Sequence, residues 1–93
     1  MIDIARPDIV LRPNPQVIAK RLDQTTVLVD ISSSHIFELN ESGTRVWEML
    51  GEGLDPDNIV QQLVREFEVT ADQAADEVNG LITRLRAAGL LTK

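Results

Sequence analysis

The apolar residues change their period at Asn40, and that change limits the possible folds more than anything else in the chain. Before Asn40 they sit in short β-rich runs divided by turn residues. After it they recur every three or four positions. A small sheet followed by helices is an α+β arrangement of the winged-helix kind. The helices must cover one face of the sheet, because nothing else in the chain can do so.

Pro7, Pro13 and Pro15 punctuate the start. Proline removes a ladder donor and restricts the residue before it, so residues 1–15 are expected to be an extended lead-in with at most a short edge strand around Ile9–Arg12. Regular structure should begin after Pro15, within a single domain over residues 16–93. Val17–Leu22 suits a strand, Asp23-Gln24-Thr25 a turn, and Thr26–Ile31 a second strand with Val27, Val29 and Ile31 on one face. Ser32-Ser33-Ser34 makes the next turn and His35–Leu39 the third strand. Short turns between three such runs predict an antiparallel meander whose last strand is an edge.

The helices carry their own start and stop signals. Asn40 or Ser42 can cap a helix bearing Val46, Trp47, Met49 and Leu50, with Gly51 and Gly53 ending it. Asp55-Pro56 places a cap oxygen before a proline at the first helical position, and Ile59, Val60, Leu63, Val64 and Phe67 follow at helical spacing. Thr70-Ala71-Asp72-Gln73 is a capping box opening a third helix with the stripe Ala74, Val78, Leu81, Leu85 and Ala88. Gly89 is placed to end it, and Leu90-Leu91 can fold back as an apolar tail. Trp47 and Phe67, set among aliphatics, are expected in the core.

Composition excludes several functions. The chain has no cysteine, which removes disulfides, thiol catalysis and thiolate metal sites, and only three aromatics, Phe37, Trp47 and Phe67. No apolar run approaches the ~18–20 residues of a membrane span. Asp3 stands where a signal peptide would carry Lys or Arg, so the chain is expected to be cytoplasmic, with no membrane partner. Residues 41–93 hold five basic and ten acidic groups of a chain whose net charge is −6. That surface opposes nucleic acid, whose binding depends on Lys and Arg neutralising phosphates.

No catalytic set converges. Asp30, Ser32–Ser34 and His35 invite a triad reading, but the serines belong to a hairpin turn and neighbouring strand residues point to opposite faces. Asp55, Asp57 and Glu66 fit three positions of a calcium loop, yet Val60 stands where that loop needs glycine, and the register is that of a helix start. Asp72 and Asp76 read as a solvated helix start, and Gly51-Glu52-Gly53 lacks the lysine of a phosphate loop. The expectation is a binding module with no catalytic residue, no metal and no cofactor. A winged-helix DNA regulator is the rival reading, but Asp72, Asp76 and Glu77 would occupy the base-reading end of its recognition helix, with Arg84 and Arg86 at the far end.

The third strand is the better candidate surface. Ile36-Phe37 carries none of the lysine, proline or glycine that blunts an edge. Ala75, Asn79, Ile82 and Arg86 form a second stripe on the third helix. An extended peptide could add as a fourth strand beside His35, Ile36, Phe37 and Glu38, with that stripe reading its side chains. Two readings of the stripe stand side by side: groove lining, or a widened core face at Ile82 with a solvated Arg86. An exposed edge also permits a homodimer by strand pairing.

The run from Val27 to Leu91 resembles the PqqD-like family, the peptide-recognition domains of ribosomal peptide natural-product pathways. The resemblance rests on Thr26-Val27-Leu28-Val29-Asp30, on Phe37-Glu38-Leu39-Asn40-Glu41-Ser42-Gly43-Thr44-Arg45-Val46-Trp47-Glu48-Met49-Leu50, and on Ile59-Val60-Gln61-Gln62-Leu63. It continues through Glu66-Phe67-Glu68-Val69 to Leu85 and Gly89-Leu90-Leu91. It implies a three-strand, three-helix fold that holds a precursor's leader peptide against the third strand and third helix and presents it to a separate modifying enzyme. Gly43–Glu48 is most similar to stand-alone members that assist lasso-peptide leader proteases. A chaperone for the peptide precursor of pyrroloquinoline quinone is the alternative within the family.

Overall fold

The computed structural model describes residues 12–92. The chain runs β1 (Arg12–Pro13), β2 (Val17–Leu22), β3 (Thr25–Asp30), β4 (His35–Leu39), α1 (Glu41–Gly51), α2 (Pro56–Glu66), α3 (Ala71–Ala87) and β5 (Leu91–Thr92). Strands β2, β3 and β4 form the expected antiparallel meander, and the three helices follow it, so the α+β reading holds.

Three local differences from the sequence-based expectations have physical causes. Regular structure does not wait for Pro15: β1 pairs antiparallel with β5, Arg12 opposite Thr92 and Pro13 opposite Leu91. Asn14 extends the tie, donating from its amide nitrogen to the Leu90 carbonyl and from its side chain to the Gly89 carbonyl, both at 2.9 Å. Leu90 and Leu91 are buried as foreseen, but as the start of a paired strand. The Ile9–Arg12 strand falls mostly outside the described residues.

Second, β3 ends at Asp30. Its carboxylate accepts from the Ser32 and Ser33 hydroxyls at 2.8 and 2.9 Å and from the Ser32 amide at 3.0 Å, which turns the chain and leaves Ile31 exposed. Third, the helices lie on the other face of β3 from Val27 and Val29. Thr26, Leu28 and Asp30 are buried there, with Leu39 and the half-buried Phe37 of β4 alongside, and α1 packs across β3 and β4.

The caps form as the sequence predicts. Asn40 Oδ1 accepts from the Gly43 amide at 2.8 Å, Asp55 Oδ1 from the Asn58 amide at 2.9 Å, and Thr70 and Gln73 close their box reciprocally. At the end of α3, Gly89 takes φ +76 while its amide donates to Arg86 and the Leu90 amide to Leu85. That left-handed residue reverses the chain and delivers β5 to β1. The core joins Val46, Met49 and Leu50 of α1, Ile59 and Leu63 of α2, and Ala74, Val78, Leu81, Ile82 and Leu85 of α3. Trp47 is buried in it and Phe67 packs against it.

Candidate functional site

Strand β4 is the edge of its sheet, so alternate residues of His35–Leu39 turn N–H and C=O groups away from β3 without a strand partner among the described residues. Helix α3 packs on α2 and, more lightly, on α1. Between α3 and β4 lies a cleft of about 190 Å³ lined by Glu38, Leu39, Asn40, Gly43, Glu77, Leu81 and Arg84.

Each wall has a local cause. Leu39 is the last residue of β4 and is buried, giving the cleft an apolar floor with Leu81. Asn40 is held in place by capping α1. Gly43 sits beneath it: a Cβ there would lie 3.1 Å from Asn40 Oδ1 and 3.4 Å from Leu39 Cβ. Glu77 accepts a hydrogen bond from the Ser42 hydroxyl, which anchors α3 to the first turn of α1. The Arg84 guanidinium stands 5.9 Å from the centre of the Phe37 ring, within cation–π range, and lines the cleft from α3. Apolar floor, mixed-charge rim and unpaired backbone together suit an extended peptide. They hold no nucleophile–base pair, and no cluster of three metal-ligating side chains occurs among the described residues.

The residues foreseen from sequence divide between places. His35 and Phe37 lie on the helix side of β4, and Glu38 at the rim of the cleft. Ile36 is on the opposite face of the sheet, 68% exposed. Ala75, Asn79, Ile82 and Arg86 do not line the cleft. At 3.6 residues per turn they run along one flank of the Ala74–Val78–Leu81–Leu85 stripe, while Glu77 and Arg84 run along the other. Ile82 is buried in the core, Ala75 is half-buried, and Asn79 and Arg86 are exposed. The signal for Glu77 and Arg84 was present as helical spacing, but spacing does not say which flank meets the sheet.

The serine–histidine–aspartate grouping resolves into a turn. Asp30 and His35 are opposite each other across β3 and β4. The Ser32 and then the Ser33 hydroxyl hold the Asp30 carboxyl below the usual carboxylate range. Glu66, one of the three calcium-loop matches, pairs instead with Arg45 through two bonds of 2.8 and 3.1 Å, tying α2 to α1, and that pairing lowers its pKa.

Residues 25–91 match the family described as coenzyme PQQ synthesis protein D (PqqD). The chain belongs to the PqqD family. The match begins at β3 and ends in β5, so it spans the whole cleft. Two solved structures share the fold. TbiB1 in complex with the TbiA(beta) leader peptide is 25% identical with a TM-score of 0.80, over 86% of this chain and 93% of that one. A lasso peptide synthetase B1 complexed with the leader peptide is 26% identical with a TM-score of 0.82, over 90% of this chain and 99% of that one. No curated protein sequence matches the chain. The PqqD resemblance read from Val27–Leu91 and the three-strand, three-helix fold it implied are both borne out.

Proposed function

We propose that this PqqD-family chain is a non-enzymatic recognition module that binds the leader of a ribosomally made precursor peptide. It would present that peptide to a separate modifying enzyme or leader protease, in lasso-peptide-type biosynthesis. The observation that carries the reading is the cleft between the unpaired edge of β4 and α3, in a chain that shares its fold with two proteins solved with leader peptides. The leader adds as a fourth strand beside His35–Leu39, its alternate side chains entering over Phe37, Leu39 and Leu81, with Arg84 and Glu77 at the rim.

The magnitudes are sufficient. Main-chain hydrogen bonds contribute about 0.5–1.5 kcal/mol each, and a buried aliphatic anchor about 1.5–3 kcal/mol. A few bonds and two anchors outweigh the several kcal/mol that ordering a flexible peptide costs. The family description names coenzyme PQQ synthesis, which supports a peptide precursor of pyrroloquinoline quinone as the second reading. The two lasso-peptide neighbours favour the first.

The test begins with a search of the genomic neighbourhood for a short precursor gene, whose leader is then fluorescently labelled and titrated into wild type and Arg84→Glu. Binding should be saturable, apolar leader residues should dominate it, and Arg84→Glu should change affinity several-fold without unfolding the protein. In the presence of a leader protease or modifying enzyme found in the same neighbourhood, the module should raise turnover of leader-bearing substrate and have no turnover alone. No binding by wild type, or turnover by the module alone, would end this reading.

A further inference from the structure

Among the described residues, no helix covers the outer face of the β2–β3–β4 sheet. Directly paired residues share a face, so the register places Ile18, Val29 and Ile36 in one row across the three strands and Lys20, Val27 and Glu38 in the next. Ile18 is 53% and Ile36 68% exposed, with Leu22 and Ile31 also open. The second row ends in a cation on β2 and an anion on β4. Among the described residues, neither Lys20 nor Glu38 takes part in an ion pair.

We propose that a second copy of this chain docks on that face, the two sheets stacking about a two-fold axis that runs along β3. The order of charges selects both the occupant and the axis. Rotation about an axis parallel to the strands carries β2 over β4 and keeps each row level. Lys20 then meets the partner's Glu38, Glu38 meets the partner's Lys20, Ile18 covers the partner's Ile36, and Val29 covers the partner's Val29. An axis across the strands lays each strand over its own copy: along the second row it sets Lys20 against Lys20 and Glu38 against Glu38, and between the rows it sets both charges against Ile18 and Ile36. A two-fold interface must be self-complementary, and this pattern is so about one axis only. Aligned face-to-face packing at about 10 Å is an ordinary arrangement of antiparallel sheets. The reciprocal pairs locally offset the repulsion between two copies of net charge −6.

The face is small. Three strands about 4.8 Å apart and six residues at about 3.3 Å each cover roughly 300 Å², well below the ~800 Å² per partner of a standard interface. The dimer is therefore weak and reversible. It leaves the backbone edge of β4 unpaired and shares only Glu38 with the α3 cleft, whereas edge-to-edge pairing through β4 would occupy that edge.

Sedimentation equilibrium of the full chain, from about 10 μM to about 1 mM protein, a range suited to a weak association, decides the matter. The average mass should rise from the 10.3 kDa monomer towards twice that value. Lys20→Glu and Glu38→Lys, both at exposed positions, should each remain monomeric while folded by circular dichroism. An equimolar mixture of the two should dimerise, because it restores both opposite-charge contacts. Ile36→Glu should weaken the dimer at least tenfold. A wild type that stays monomeric, dimers that survive either charge variant, or a mixture that fails to associate would each overturn the proposal.

Discussion

Asn40 Oδ1 accepts from the Gly43 amide at 2.8 Å, and a Cβ on residue 43 would approach the same oxygen within 3.1 Å. The two residues are one device: a cap, and the space that lets it seat against Leu39. Removing a side-chain cap costs about 1 kcal/mol. Asn40→Ala should lower the urea midpoint accordingly, and Gly43→Ala should do so by crowding the cap. The double variant should lose less than the sum, since deleting Asn40 relieves the crowding, and a double-mutant cycle measures that coupling. Asp30 gives a second residue-scale prediction. Its folded pKa lies below the unfolded value of about 3.9, so the stability it contributes is present above that value and fades as pH falls through the folded pKa. Asp30→Ala should be less stable than wild type at pH 7, and the gap between their urea midpoints should narrow steadily below about pH 4. The sequence showed Asp30, three serines and His35 together but not their roles. Serine is a turn former by backbone chemistry, and only the observed hydrogen bonds separate a turn from a site.

Helix α3 shows where sequence patterning stops at the scale of an element. Its boundaries, its capping box, its closing glycine and its core stripe were all legible, because each is a local regularity. Which flank faced the sheet was not. Ile82 made its flank look like the groove wall, but an apolar flank is the one helix packing takes up, and Ile82 belongs to the core. The flank of mixed character, Glu77 and Arg84, was left to the open cleft. Ile82→Glu should therefore destabilise the fold outright by burying an unpaired carboxylate, seen as a large fall in the thermal midpoint. Arg84→Ala, at an exposed position, should leave the unfolding free energy within about 0.5 kcal/mol of wild type while changing leader affinity. The same limit applies to β3. Val27 and Val29 look like a core face, yet the helices cover Leu28, because burial depends on what lies opposite as much as on apolarity.

For the whole molecule, the order of strands and helices followed from the period change at Asn40, whereas the β1–β5 tie did not. Two-residue strands at opposite ends of a chain leave no periodic trace, and Pro13 argued against one of them. Acidic side chains dominate the start of α3, where Asp72 and Asp76 are exposed. A gel shift at physiological ionic strength should accordingly show no sequence-selective binding of duplex DNA. No helix among the described residues is long and apolar enough to cross a membrane. The central claim is strand addition at β4, and backbone chemistry of the peptide tests it without altering the protein. Two leader peptides, N-methylated at alternate residues in complementary registers, are titrated against wild type beside the unmodified leader. An added strand turns only every second amide towards β4, so one register should lose its bonds and bind at least about tenfold more weakly. The other should bind nearly as tightly as the unmodified leader. Equal affinity for all three peptides would show that the leader does not pair with β4.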